Sequence, residues 1–285
     1  MKPNSHRLLS GFTLVEMMLV VGIVGLVMAG VLPFFVSNLK MLYISEQKLL
    51  INGDVRAFTN NMINDADTAN NFVLYQSFYP YTNSYYDPAS GTNKTSTVSR
   101  DCNGDGVIDA TDRMVAAQDS NFLVLIYYQD PFYDSRFYDS IPNNEPTLGT
   151  GTNTITRLVG YWLAPNVNYP GETALYRFDT DKYKGVGSTW TVPWGATFPA
   201  PLNGTVTLES LLPPATQAGA TNSSYAKIVL NNLEGLWTTF SNHPLNGLTF
   251  LNFQGQSVIV HARILHGNQA KRVTNTYNFT VKPRG

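Results

Sequence analysis

The 285-residue chain holds a single cysteine, Cys102. An intrachain disulfide framework and a cysteine-based zinc site are therefore both excluded. Charge is also scarce: 14% of the residues are Asp, Glu, Lys or Arg, and the formal net charge is −1. So neutral a chain has no global attraction for nucleic acid or acidic lipid, and no nucleic-acid partner is expected. Histidine occurs only at His6, His243, His261 and His266. His261 and His266 lie five apart on one expected strand and point to opposite faces, which removes them as a metal pair. G-x-S-x-G, a phosphate-loop glycine pattern and H-E-x-x-H are all missing. No residue cluster supports catalysis, and the chain is expected not to be an enzyme.

What the chain does have is a long apolar run near its start. Its first eleven residues, MKPNSHRLLSG, carry Lys2, His6 and Arg7 and no acid, and the next basic residue is Lys40. Under the positive-inside rule this places the N-terminus on the cytoplasmic side and the bulk of the chain outside. Met17 to Ser37 is free of charge. As a helix, Met17 to Val36 would rise about 30 Å, the thickness of a hydrocarbon core. Val27-Met28-Ala29 resembles a signal-peptide cleavage site, but the apolar run continues through Val31, Leu32, Phe34 and Phe35, too far for an ordinary signal peptide.

One acid, Glu16, interrupts the start of this run within Gly11-Phe12-Thr13-Leu14-Val15-Glu16. A carboxylate inside a membrane helix costs about 2.5–3.5 kcal/mol on insertion scales and marks a site with a partner. The competing account puts Glu16 at headgroup level, stabilising the N-terminal helix dipole.

The basic leader, the Gly11-Phe12 junction, Glu16 and the apolar helix behind them resemble the processing motif of type IV prepilins and type II secretion pseudopilins. The resemblance implies cleavage after Gly11 by a prepilin peptidase and N-methylation of Phe12. It makes Glu16 the fifth residue of the mature chain, paired with the Phe12 amino group of a neighbouring subunit during filament assembly. It also places Pro33 where many such subunits carry a helix-kinking proline. Further implied partners are other pilin or pseudopilin subunits, the inner-membrane assembly platform and, before assembly, membrane lipid. The implied location is the bacterial inner membrane, single-pass with a periplasmic head, and then a pilus or pseudopilus in the periplasm or on the cell surface.

Behind Pro33, Leu39, Leu42, Leu49, Leu50, Val55, Phe58, Met62, Ala66 and Ala69 recur mostly at steps of three or four. One helix from about Thr13 to about Asn70 is expected, apolar all round in its first half and carrying one buried stripe in its second. From Phe72 the period changes. Runs at Phe122–Tyr128, Thr156–Leu163 and Ala174–Phe178 are dense in β-formers, and Val258–Ile264 with Val273–Val281 reads as a terminal hairpin. The expected fold is α+β: a long N-terminal helix, half membrane-spanning, on an antiparallel sheet. The expected divisions are a removed leader (1–11), a transmembrane half (12–36), an outer amphipathic half (37–71) and a β-rich head (72–285). Stretches 76–100, 130–154 and 185–220 read as long loops carrying partner specificity. Pairing of Val159-Gly160-Tyr161-Trp162-Leu163 with Ala174-Leu175-Tyr176-Arg177, behind a helix continuing through Asp65-Ala66-Asp67, resembles W-type minor pilins and J-type minor pseudopilins. The chain's length leans toward a minor subunit as well.

A second motif spans residues 101–112. Calcium takes six to eight hard oxygens, and a twelve-residue loop supplies them from set positions around a glycine at the sixth. Asp101, Asn103, Asp105, the carbonyl of Val107, Asp109 and Asp112 occupy those positions, with Gly106 at the turn. Asp112 replaces the usual Glu, so the loop resembles the dockerin type. A structural Ca2+ is expected; an acidic Asn-Gly turn without an ion is the alternative. The aromatic run Tyr127–Tyr133 with Phe137 and Tyr138 is either a binding surface or a loop packed on its own sheet. A membrane-anchored or secreted calcium-dependent adhesin is accordingly the rival to a filament subunit.

Overall fold

The computed structural model describes residues 13–75, 77–78, 82–87, 92–97, 119–129, 154–168, 173–201, 206, 208–233, 248–253, 256–266 and 273–283. The chain divides into two compact units, 1–50 and 51–285. The described residues of the first are Thr13 and the leading part of α1, a single helix from Leu14 to Thr68 that contains Pro33. No described side chain before Leu50 is buried. This stretch is long and apolar enough to cross a membrane.

The second unit begins with the end of α1. Val55, Phe58, Met62, Ala66 and Ala69 are buried there, whereas Leu39, Leu42, Leu49 and Leu50 are exposed. The expected stripe is thus buried only from Val55 onward, where strand residues stand against it. The helix stops at Thr68 rather than Asn70, because the Asn70 N–H turns to the carbonyl of Ile126 and starts the first strand.

The strands run in chain order β1 (Asn71–Tyr75), β2 (Thr82–Asp87), β3 (Thr92–Thr97), β4 (Asp119–Ser120), β5 (Phe122–Tyr128), β6 (Thr154–Pro165) and β7 (Thr173–Asp179). They continue with β8 (Trp190–Thr191), β9 (Thr197–Phe198), β10 (Ala200–Pro201), β11 (Lys227–Leu233), β12 (Leu248–Phe253), β13 (Ser257–His266) and β14 (Val273–Val281). Short helices α2 (Leu208–Leu211) and α3 (Gln217–Ala220) lie between β10 and β11. The main sheet is ordered β1-β5-β6-β7-β11-β13-β12-β4, with β14 beside β13 and β10 beside β6, and every pairing is antiparallel. Only Asn121 separates β4, at one end of this order, from β5 in the chain. The result is an α+β fold with a long apolar N-terminal helix.

Strand alternation gives the central sheet two apolar faces. Leu123, Leu125, Tyr127, Val159, Tyr161, Leu163 and Leu175 join the helix residues, along with Phe250, Val258 and Val260 from later strands. Phe122, Val124, Ile126, Leu158, Trp162, Tyr176 and Phe178 point the other way. Segment 180–226 covers them, through Trp190, Phe198, Leu208, Leu211, Leu212 and Tyr225. Stretch 185–220, read as a loop, therefore also supplies core side chains: its apolar residues are too widely spaced for a periodic signal, yet those named bury one face of the sheet. Stretch 76–100, likewise read as loop, contains the β2–β3 hairpin. Glycine is required at Gly160, where an added Cβ would overlap the ring of Phe178 on the neighbouring strand.

Candidate functional site

Among the described residues, two places hold charge among apolar surroundings, one in each unit. In the first, Glu16 folds back on Thr13. Its Oε2 accepts the Thr13 N–H and the Thr13 hydroxyl, both at 2.9 Å, and the Thr13 Oγ1 accepts the Glu16 N–H at 3.3 Å. This is the reciprocal capping box of a Ser/Thr followed three residues later by Glu, here opening a helix of 55 residues. The signal was present as Thr13-Leu14-Val15-Glu16, and reading Glu16 as a membrane charge passed over it. The carboxylate thus has partners within its own chain, which lowers the cost of holding it at a membrane interface. Leu14, Val15, Met17 and Met18 around it are all exposed. Pro33 lies inside the same helix with residues on both sides helical. Gly11 and Phe12 lie outside the described residues.

In the second unit, Asp65 stands on the buried stripe of α1, one turn past Met62, with a side chain only 10% exposed. The sheet face opposite carries Arg157 on β6 and Arg177 on β7. Arg177 donates Nε to Asp65 Oδ2 at 2.9 Å and Nη2 to Oδ1 at 3.0 Å; Arg157 Nη2 reaches Oδ1 at 3.3 Å. Both arginines also hold Asp179: Arg157 by Nε (2.9 Å) and Nη2 (2.7 Å), Arg177 by Nη2 (2.8 Å). Tyr161 donates its hydroxyl to Asp65 Oδ2 at 2.5 Å, and Tyr127 donates to the Asp65 carbonyl at 2.6 Å. The guanidinium of Arg157 lies 4.7 Å from the centre of the Tyr127 ring.

The electrostatics follow from this arrangement. Burial opposes ionisation of Asp179, but its hydrogen bonds and proximity to Arg157 and Arg177 hold its carboxyl below the ordinary value. Burial likewise disfavours charge on the two arginines, and their bonds to Asp179 and Asp65 outweigh it, so both are firmly charged. Burial, with the Asp65 charge adding to it, pushes the phenols of Tyr127 and Tyr161 far up. Two carboxylates are balanced by two guanidinium groups, and none of the groups shifted here titrates near neutral pH. The cluster therefore serves to hold the last turns of α1 on the sheet rather than to move protons. Sequence reading placed Arg157 and Arg177 in strands and Asp65 in the helix but gave none of them a role. The detectable signal was an acid on an apolar helical stripe.

Among the described residues, no three His, Cys, Asp or Glu side chains gather as a metal site. The loop 101–112 in which calcium is expected, with Asp101, Asn103, Asp105, Val107, Asp109 and Asp112, lies outside the described residues. So does Cys102. His261 is exposed on β13. Comparison of the chain with family models, with curated proteins and with solved structures gives no match.

Proposed function

We propose that the chain is a structural subunit, of the minor kind, of a type IV pilus or type II secretion pseudopilus. In this reading a prepilin peptidase cuts after Gly11 and Phe12 is N-methylated. The apolar part of α1 anchors the subunit in the bacterial inner membrane, and the assembly platform then moves it into a filament whose core is built from such helices. The observation that carries the reading is Glu16 as the one charge between Thr13 and Leu39, in the exposed apolar part of the helix, set within Gly11-Phe12-Thr13-Leu14-Val15-Glu16. The capping box refines its role. Before assembly Thr13 satisfies the carboxylate, and after cleavage the Phe12 amino group of a neighbouring subunit offers it a stronger, charged partner.

Mass spectrometry of the mature N-terminus tests the processing. N-methyl-Phe12 is expected; an intact Met1, or a chain beginning at Gly30, overturns the reading. Glu16→Ala is expected to leave the protein in the membrane and abolish its recovery in filaments, whereas an anchored adhesin would be displayed and bind as before.

The same reading includes a structural Ca2+ in loop 101–112, carried by the order of oxygen-bearing residues there. Millimolar calcium is expected to raise the melting temperature of the full chain, and Asp101→Ala with Asp105→Ala to remove that rise. Equal melting with calcium and with chelator overturns the calcium assignment alone.

A further inference from the structure

Helix α1 stays apolar and exposed for longer than a membrane needs. Met17 to Val36 already matches a hydrocarbon core, and from Leu39 to Leu50 the same helix rises about 17 Å more. Leu39, Leu42, Leu49 and Leu50 in that second stretch are 55–72% exposed. Phe35, Leu39, Leu42, Glu46 and Leu49 follow one another at steps of four, three, four and three. That spacing puts them on one line along the helix, the a/d seam of a coiled coil, with Leu50 widening it. Glu46 interrupts the seam. Its side chain is exposed, and among the described residues it has no hydrogen-bond or ion-pair partner. Lys40 and Lys48, six residues before it and two after, are turned about 120° and about 160° away around the helix.

We propose that this seam receives a parallel helix of a different membrane-anchored chain, one with apolar residues at the facing positions and a lysine or arginine opposite Glu46. Lipid does not cover the seam, because hydrocarbon long enough for Met17 to Val36 ends before Leu39. A second copy in the same register would set Glu46 against Glu46, two like charges inside an apolar contact. Sliding the copy by one heptad brings Leu39 opposite Glu46 and leaves the carboxylate buried without a cation. Sliding it by two or six residues brings Lys48 or Lys40 level with Glu46, but turned off the seam. A single polar residue at a core position selects partner and register in this way, at some cost in stability. The proposal deepens the reading of the chain as a filament subunit by naming the kind of partner its helix takes. It rests on the membrane anchoring in that reading, since a seam this short gains its strength from two helices held upright side by side.

The test uses the full chain with Cys102→Ser and a dye on Ser188→Cys, donor on one population and acceptor on the other, co-reconstituted into phosphatidylcholine vesicles. The probe is the same chain carrying Glu46→Lys. Association read from energy transfer is expected to be about tenfold stronger for parent with probe than for parent with parent. Probe with probe should be as weak as parent with parent. Adding Leu42→Asn and Leu49→Asn to the probe should remove the gain, and a Lys48→Glu chain mixed with parent, which makes the same charge contrast off the seam, should show none. Each variant is first shown by circular dichroism to melt like the parent. Parent–parent transfer as strong as parent–probe would make a second copy the occupant and overturns the proposal. So does an equal gain with Lys48→Glu, or a gain that survives loss of both leucines. A chain that fails to float with the vesicles overturns the anchoring reading and this one with it; a chain that floats but does not respond to Glu46→Lys overturns this one alone.

Discussion

Before Leu50, helix α1 presents leucine, valine, methionine and phenylalanine on all sides and buries none of them, and the acid of its first turn, Glu16, is satisfied by a threonine three residues away. After Ile51, the same helix has an ordinary soluble pattern, with apolar residues inward and polar ones outward, and its inward acid is satisfied by arginines 92 and 112 residues away in sequence. One helix therefore answers two solvents. The leading stretch gains stability only when lipid or other helices surround it, while the trailing stretch already has its partner in the sheet. The difference also shows in how each acid is held. Glu16 has a local, exposed cap that another partner can replace. Asp65 has a nearly buried, multiply bonded site from which it cannot leave without stranding two cations.

Truncations at matched positions give the sharpest contrast. Phe58 is 1% exposed and packs edge-to-face with Tyr161 and Phe279, at centroid distances of 6.3 and 5.6 Å. Phe58→Ala is expected to destabilise the second unit by about 3–5 kcal/mol. Leu42 is 66% exposed, and Leu42→Ala should change the same unfolding free energy by no more than about 0.5 kcal/mol. Denaturant unfolding of the full chain in detergent, followed by near-ultraviolet circular dichroism, measures both. Comparable losses from the two would mean that Leu42 has a partner within its own chain.

A smaller effect is expected at Asp65. Asp65→Asn preserves shape but leaves Arg157 and Arg177 to share Asp179 alone, and breaking a largely buried ion pair on one side costs about 3 kcal/mol. The side chains involved are 10–24% exposed, which puts the expected loss at or somewhat below that figure. The test is a comparison with Asp67→Asn, on the exposed side of the same turn, where even a paired surface charge is worth no more than about 1 kcal/mol. A loss at Asp65 no larger than that at Asp67 would break the picture of a tied helix end.

How much of this was legible in the sequence depended on the range of the interaction. The helix was legible because its period repeats over many turns, and β5, β6, β7 and the β13–β14 hairpin because each is a dense apolar or alternating run. β11 and β12, with polar residues in Lys227–Leu233 and Leu248–Phe253, lack that density; β11 is placed by β7, far back in the chain, and β12 by β4 as well as by the adjacent β13. The cover formed by residues 180–226 was missed for a similar reason. Trp190, Phe198, Leu208 and Tyr225 are scattered among glycines, prolines and polar residues, and only the apolar face of the sheet explains why they are buried. The Asp65 cluster is the extreme case, since a bond such as Arg177 to Asp65 leaves no periodic trace. The capping box at Thr13 and Glu16, by contrast, spans three residues and was fully written in the sequence.

The smallest effect concerns acid, and its sign follows from the shift at Asp179. Its carboxyl ionises at lower pH in the folded protein than in the unfolded chain, so the unfolded state binds the proton first as the pH falls. The stability due to its pairing is therefore complete above the unfolded value, near pH 4, and disappears as the pH drops through the lower folded value. Asp179→Asn removes this contribution at every pH. Stability curves of parent and variant are thus expected to run parallel from pH 7 to about pH 5 and to converge below about pH 4. Other carboxylates bend both curves downward in acid, but subtracting the variant from the parent leaves the share that requires an ionised Asp179. The same subtraction with Glu16→Gln should show no such convergence in the unfolding of the second unit, because among the described residues Glu16 bonds only within the first turn of α1. Convergence for Glu16 would mean that the two acids are coupled, and the separation drawn between the two stretches of the helix would fall.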